Sequence, residues 1–388
     1  MTQHTKLSNL ISHDEIILVH SGKDYFSRLE EMINKAKRVI HIQTYIFEYD
    51  ETGNEIIKAL KRAAARNVSV YILLDSFGSR EFPSVVAKEL ESIGIKLRFF
   101  SPFLSLNTFY IGRRLHQKIV VVDGESLLIG GINVASKYEG GRDEKAWLDY
   151  AVMLTSGMAK QVDKICFDLY FKRNTSVFRR KKSIIKNPTN TEVRILQNDW
   201  LNRKNQIFRA YIHAIRNAKK EIIIVGSYFF PSRKLSKALK LASEKNVKVK
   251  LILSGKSDIP LLKNATLYFY GKYLKNNIEI FEWDKSILHG KAAVVDGEWS
   301  TIGSFNLNNL SSYASIEMNL GIHSQQFSAN FQTHLNLIIS ECVKISSNEF
   351  EKKRTFLSKI KIRVSYWIIR LILNLATIIP YKRFLKSN

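Results

Sequence analysis

The sequence predicts an α/β layer fold made twice in one chain. Two tandem α/β/α repeats are related by a pseudo-twofold axis and share one site at their interface. Three observations lead there. Short, β-branched apolar runs alternate with segments of helical period. The stretch LHQKIVVVDGESLLIGGIN at 115–133 recurs as LHGKAAVVDGEWSTIGSFN at 288–306. Landmarks upstream of each copy also match: Lys58-Ala-Leu-Lys61 with Lys237-Ala-Leu-Lys240, and Asn67-Val-Ser-Val70 with Asn246-Val-Lys-Val249. A chain of 388 residues has room for two such units. We place the first at 1–180, the second at 181–350 and a separate tail at 351–388.

In order, Phe26, Leu29 and Ile33 have helical spacing within 25–37, and the run at 38–47 reads as a strand. A helix is expected over 56–66 and a buried strand over 68–75. A further helix spans 85–93 and ends at Gly94, a residue suited to the turn after a helix. The strand at 95–100 leads into the loop SPFLSLNTFYIGRRL, which holds residues that the second half lacks. That loop is either plain surface or a lip touching acyl chains, and the lip is favoured. Glu221-Ile-Ile-Ile-Val225 opens the same order again. The join at 172–191, with RRKK at 179–182, is basic and irregular and reads either as a solvated linker or as a contact for lipid headgroups.

Apolar content of 45% and 24% charged residues suit a folded protein. The two cysteines, Cys166 and Cys342, support neither a disulfide framework nor a zinc site, and a reducing compartment is expected. A net charge of +25 implies a polyanionic partner, either nucleic acid or an anionic membrane. The N-terminus shows no apolar signal region, and no run of about 18 apolar residues predicts a membrane-crossing helix.

The recurring stretch carries the frame His-x-Lys-x4-Asp-x6-Gly-x2-Asn twice. It holds His116, Lys118, Asp123, Gly130 and Asn133, then His289, Lys291, Asp296, Gly303 and Asn306. A lone histidine near a strand is more often structural, and five matched positions argue against that here. The runs at 118–122 and 291–295 read as strands, so each histidine faces the same side as the lysine two residues on. Two imidazoles and two ammonium groups suit a phosphodiester. One histidine can attack phosphorus while the other protonates the leaving oxygen. The lysines with Asn133 and Asn306 can hold the non-bridging oxygens. Asp123 and Asp296 begin turns and are grouped with the catalytic histidines and lysines in a positioning role, without proton transfer.

This doubled motif resembles the phospholipase D superfamily. The Gly-Gly-x-Asn after the first copy, the Gly-Ser-x-Asn-Leu after the second, YIFEYDETG at 45–53 and SYFFPS at 227–232 resemble bacterial cardiolipin synthases. The resemblance runs from about residue 15 to about 350 and is to the shorter type without N-terminal spans. It implies a phosphatidyltransferase working through a phosphatidyl-histidine, with phosphatidylglycerol as acceptor. The donor is phosphatidylglycerol or phosphatidylethanolamine. His116 is the favoured nucleophile. No cofactor and no metal are expected. Localisation would be peripheral, on the cytoplasmic face of a bacterial membrane. Other phospholipase D-type phosphodiesterases, a phospholipid hydrolase or a nuclease, are the alternative, although nucleic acid is not the expected partner. Similar enzymes carry acids that orient the histidines, and Asp149 and Glu317 hold such positions here. Which acid serves which histidine stays open.

The tail combines KIKIRVSYWIIRLILNLATIIP with a polar stripe of Lys359, Arg363, Tyr366, Arg370, Asn374 and Thr377. We expect a helix over 356–379, stopped at Pro380 and lying in the membrane interface, apart from the core. Its alternative is a helix packed on the protein's own core.

Overall fold

The computed structural model describes residues 16–101, 113–141, 144–155, 157–172, 184–186, 191–199, 204–308, 311, 315–352 and 354–384. The first repeat runs β1 (Ile16–His20), α1 (Lys23–Lys35), β2 (Val39–Thr44), α2 (Glu51–Ala65), β3 (Ser69–Asp75), α3 (Ser84–Ser92), β4 (Lys96–Phe100), β5 (Arg114–Leu115), β6 (Lys118–Val122), β7 (Ser126–Gly130), α4 (Ser136–Glu139), β8 (Tyr150–Thr155) and α5 (Gly157–Tyr170). The second runs β9 (Ile184–Lys186), β10 (Glu192–Asp199), β11 (Lys204–Asn205), α6 (Gln206–Asn217), β12 (Glu221–Gly226), α7 (Arg233–Glu244), β13 (Lys248–Ser254), α8 (Pro260–Leu274), β14 (Ile278–Trp283), β15 (Lys291–Val295), β16 (Trp299–Gly303), β17 (Ser315–His323), α9 (Gln325–Ser340) and β18 (Val343–Ile345). Two further helices close the chain, α10 (Ser347–Lys352) and α11 (Phe356–Phe384).

The first sheet has the order β1-β8-β7-β6-β2-β3-β4, and the second carries β10-β17-β16-β15-β12-β13-β14 within it. The two orders are the same, strand for strand. The matched landmarks have a structural reason. Asn67 and Asn246 follow α2 and α7 in the left-handed region, at φ 63° and 62°. Asparagine tolerates that turn better than a branched residue would.

The motif strands read Lys118-Ile-Val-Val-Val122 and Lys291-Ala-Ala-Val-Val295, and every residue in both is buried. Alternation divides each strand between two cores. Val120 and Val122 join the outer core of the first repeat. Ile119 and Val121 join a central core with Ala292, Val294, α5 and α9. This central core welds the repeats together, so they form one body with a shared interior. The loop at 102–112 and most of the basic join lie outside the described residues, as do the roles expected for them.

The tail corrects the expectation in part. Ile369 and Leu373 of α11 belong to the core of the second repeat. Tyr366 stacks on Tyr268 at 3.9 Å and on Phe230 at 5.5 Å. The helix is therefore not apart from the protein: one face is core. It also continues past Pro380 to Phe384. A proline one turn from the end removes a single backbone hydrogen bond, which the last turn can spare.

Candidate active site

Each motif histidine follows a short segment that lies beside the other repeat. Leu115 pairs with Ile316 in parallel, and Leu288 pairs with Leu148 in parallel. His116 N donates to Ile316 O at 3.0 Å, and His289 N donates to Leu148 O at 2.8 Å. One residue further along, the acids are reached. His116 Nδ1 lies 2.9 Å from Glu317 Oε2, and His289 Nδ1 lies 2.6 Å from Asp149 Oδ2. Both acids are fully buried. Each imidazole is thus partnered by a carboxylate from the opposite repeat. With Nδ1–H given to the carboxylate, Nε2 keeps its lone pair for chemistry. Asp75 at the end of β3 accepts from Leu115 N at 2.8 Å and holds the segment beneath His116.

Lys118 and Lys291 are almost fully buried. Lys118 Nζ donates to the carbonyl of its own motif histidine at 2.6 Å, and Lys291 donates to the equivalent carbonyl. Lys291 Nζ also lies 2.9 Å from His289 Nδ1. The carboxylate of Asp149 takes that ring hydrogen, since an ammonium can only donate. Burial is the first cause that lowers both lysines, to about 7 for Lys118 and about 8 for Lys291. Burial also lowers both histidines, against the pull of their carboxylates. Each histidine feels the lysine of the other repeat, which places all four groups in one electrostatic site. Burial pushes the Asp149 carboxyl up, but the charge of Lys291 and the hydrogen bond with His289 outweigh it and hold it below the usual carboxylate range.

The motif asparagines close the strand ends. Asn133 Oδ1 accepts from Ile46 N at 3.1 Å, and Asn306 Oδ1 accepts from Ser227 Oγ at 3.0 Å. Asn133 Nδ2 donates one hydrogen to Tyr138 OH at 2.7 Å. Among the described residues its second amide hydrogen and the side-chain amide of Asn306 have no acceptor.

Asp123 and Asp296 do not join this site, which corrects their grouping with the catalytic residues. They sit past the far end of the motif strands, about 17 Å from the histidine end at the usual strand rise. The Asp123 carboxylate accepts from Lys37 N, Arg38 N and Val39 N, each at 2.8 Å. Asp296 does the same for Lys219 N, Lys220 N and Glu221 N. Both have φ 57° and clamp the start of the neighbouring central strand. The spacing in the motif is real, but a strand five residues long separates its two ends.

The sequence reading missed the aromatic walls. Tyr45 lies beside His116, with ring centroids 5.0 Å apart, and Lys118 lies over the same ring. His289 is enclosed by Tyr138, Trp147 and Tyr228, at 5.2, 5.9 and 5.8 Å. Tyr138 OH stands 3.5 Å from His289 Nε2. The repeat could not reveal Tyr138, because Ser311 holds the matching position. The histidines therefore differ: the His116 side chain is 14% exposed and that of His289 5%. A second difference is Gly131 against Ser304. Ser304 Oγ donates to Glu317 Oε2 at 2.5 Å. At Gly131 a Cβ would fall 2.3 Å from Asp149 Oδ1.

A family model described as "Cardiolipin synthase, PLD-like domain" matches residues 29–166 and 211–339, one stretch in each repeat. Cardiolipin synthase B of Escherichia coli K12 is 30% identical over 352 residues, covering 88% of this chain and 84% of that protein. A cardiolipin synthase of Listeria monocytogenes serotype 4b is 29% identical over 323 residues, covering 82% and 67%. The crystal structure of phosphatidylserine synthase from Haemophilus influenzae Rd KW20 superposes with a TM-score of 0.75. It has 17% identity and covers 93% of this chain and 94% of that one, a likeness of fold. With the doubled motif, the crossed histidine–carboxylate pairs and these matches together, the chain belongs to the phospholipase D-like cardiolipin synthase family of phosphatidyltransferases.

Proposed function

We propose that this phosphatidyltransferase makes cardiolipin from two phospholipids through a phosphatidyl-histidine. The crossed pairing of His116 with Glu317 and His289 with Asp149 carries the reading. His116 Nε2, the more exposed of the two, attacks the donor phosphorus. The P–O bond to the headgroup breaks as His289 gives its proton to the leaving oxygen. A phosphate anion between Lys118 and Lys291 cancels part of the positive field that depresses His289, so the imidazole can hold that proton once substrate is bound. The lysines, Asn306 and the remaining hydrogen of Asn133 hold the non-bridging oxygens. A hydroxyl of phosphatidylglycerol then enters. His289, now neutral, takes its proton, the oxygen bonds to phosphorus, and the P–N bond to His116 breaks. From two phosphatidylglycerols the products are cardiolipin and glycerol; from phosphatidylethanolamine as donor the leaving alcohol is ethanolamine.

The site sits in a peripheral enzyme acting at the cytoplasmic face of a bacterial membrane. Among the described residues no helix is long and apolar enough to cross a membrane. The test is to incubate the protein with lipids of defined headgroup, labelled in the phosphate, and identify both products by mass spectrometry. His289→Ala should trap labelled phosphatidyl on the protein, while His116→Ala should not. The opposite pattern reverses the roles, and near-normal turnover by either variant rules out the two-histidine mechanism.

A further inference from the structure

We propose that the outward face of α11 docks the enzyme flat on an anionic bilayer, and that its inward face holds that docking surface rigidly to the second repeat. The inward face consists of Ile362, Ser365, Ile369 and Leu373, all buried against the second repeat. The outward face is a stripe of large apolar side chains. Leu357 is 76% exposed, Ile360 45%, Val364 49%, Trp367 56% and Leu371 59%. Their steps of three and four place them on one side of the helix. From Phe356 to Leu375 the stripe is about 30 Å long at 1.5 Å per residue. A water-soluble surface rarely leaves so long an apolar strip uncovered.

The flanks choose the occupant. Lys359, Lys361 and Arg363 are exposed beside the stripe, on a chain of net charge +25. A second copy docking by a twofold axis would bring these like charges together. An anionic lipid surface meets them with opposite charge, and its acyl boundary accepts the apolar strip. Trp367 suits the headgroup level, where an apolar ring with one polar edge is best placed. Arg370 lies 5.1 Å from the Trp367 ring centroid, on the boundary between the two faces.

Rigidity distinguishes this surface from a tethered anchor. Tyr366 stacks on Phe230 at 5.5 Å. Phe230 lies two residues after Tyr228, whose ring is 5.8 Å from that of His289. The docking helix is therefore joined by packed rings to the wall of the site. Docking fixes how the site faces the lipid, which deepens the function proposed above without requiring it for binding.

The experiment uses the full chain in three forms: wild type, Ile360→Ser/Trp367→Ser/Leu371→Ser, and Lys359→Glu/Lys361→Glu/Arg363→Glu. Flotation is measured with vesicles of phosphatidylcholine, with and without phosphatidylglycerol. Turnover of a soluble short-chain phosphodiester is followed in parallel. Both variants should lose at least tenfold in partition to the anionic vesicles, with thermal midpoint and soluble turnover unchanged. High salt should reproduce the loss seen for the charge variant. Unchanged flotation overturns the proposal. So does a variant that leaves flotation intact but turns a dimer into a monomer by light scattering, since a second copy then covers the stripe. Leu373→Ala is the control, expected to lower the thermal midpoint and leave partition unchanged. If binding follows this pattern but no lipid is turned over, the docking surface stands and the proposed reaction fails.

Discussion

Asp149 belongs to the first repeat, yet its Oδ2 sits 2.6 Å from Nδ1 of His289 in the second. Glu317 in the second repeat stands in the same relation to His116 in the first, at 2.9 Å. Each repeat therefore supplies the histidine for one half-site and the acid for the other. Neither motif histidine takes its carboxylate from its own repeat.

This crossing sets the first expectation. Asp149→Asn removes the charge that steadies His289 when it carries a proton and allows the wrong ring tautomer. Loss of kcat should be on the order of 10³–10⁴, as in other carboxylate–histidine pairs. Glu317→Gln should act on the nucleophile instead and slow formation of the phosphatidyl-enzyme. Pre-steady-state release of the headgroup alcohol should slow in both, and a donor with a more acidic leaving alcohol should rescue Asp149→Asn alone, because only that variant weakens the proton donor. Equal, small losses in both variants would show that the acids only fill space.

Gly131 should be as sensitive as the acid it faces. A Cβ there would lie 2.3 Å from Asp149 Oδ1 and 2.7 Å from Oδ2, so Gly131→Ala must push the carboxylate off His289. Turnover should drop at least a hundredfold while the fold survives, because only one side chain has to move. The check is kcat beside a thermal melt. Activity within threefold of wild type would show that Asp149 can shift without cost.

Asp123→Ala and Asp296→Ala should behave in the opposite way. Each removes a carboxylate that accepts three backbone N–H groups at the start of a central strand. Stability should fall by about 1–3 kcal/mol per site. The kcat of the folded fraction should stay within a few-fold of wild type. A selective loss of kcat at an unchanged melting temperature would return these acids to the active site.

The lysines set the alkaline side of the pH profile. Burial lowers Lys118 to about 7 and Lys291 to about 8. The protonated form is the one that holds a phosphate anion. Affinity should thus be full below about 7 and fall as pH rises through 7 to 8. The fall belongs in KM, because bound phosphate raises both lysines and protects kcat. A KM flat to pH 10, the range of an ordinary lysine, would mean the free site is wetter than its geometry indicates.

The sequence by itself determined the doubling, the α/β class and the candidate site residues. These are legible because they repeat: His116 and Lys118 share a strand-end spacing with His289 and Lys291, and a two-residue step puts each pair on one side. Local turn chemistry was legible at Gly94, where a glycine follows a run of helical period. Tertiary structure decided the rest. It set which acid meets which histidine, because the partners are 140 and 201 residues apart in the chain. It moved Asp123 and Asp296 out of the site, because a motif compact in sequence is stretched along a strand. It showed that α11 has two apolar faces, one spent on the core and one left outward, where the polar stripe alone suggested a single membrane face. And it gathered Tyr138, Trp147 and Tyr228 around His289. Contacts made once, between segments far apart in the chain, leave no period or repeat to read, and only packing decides them.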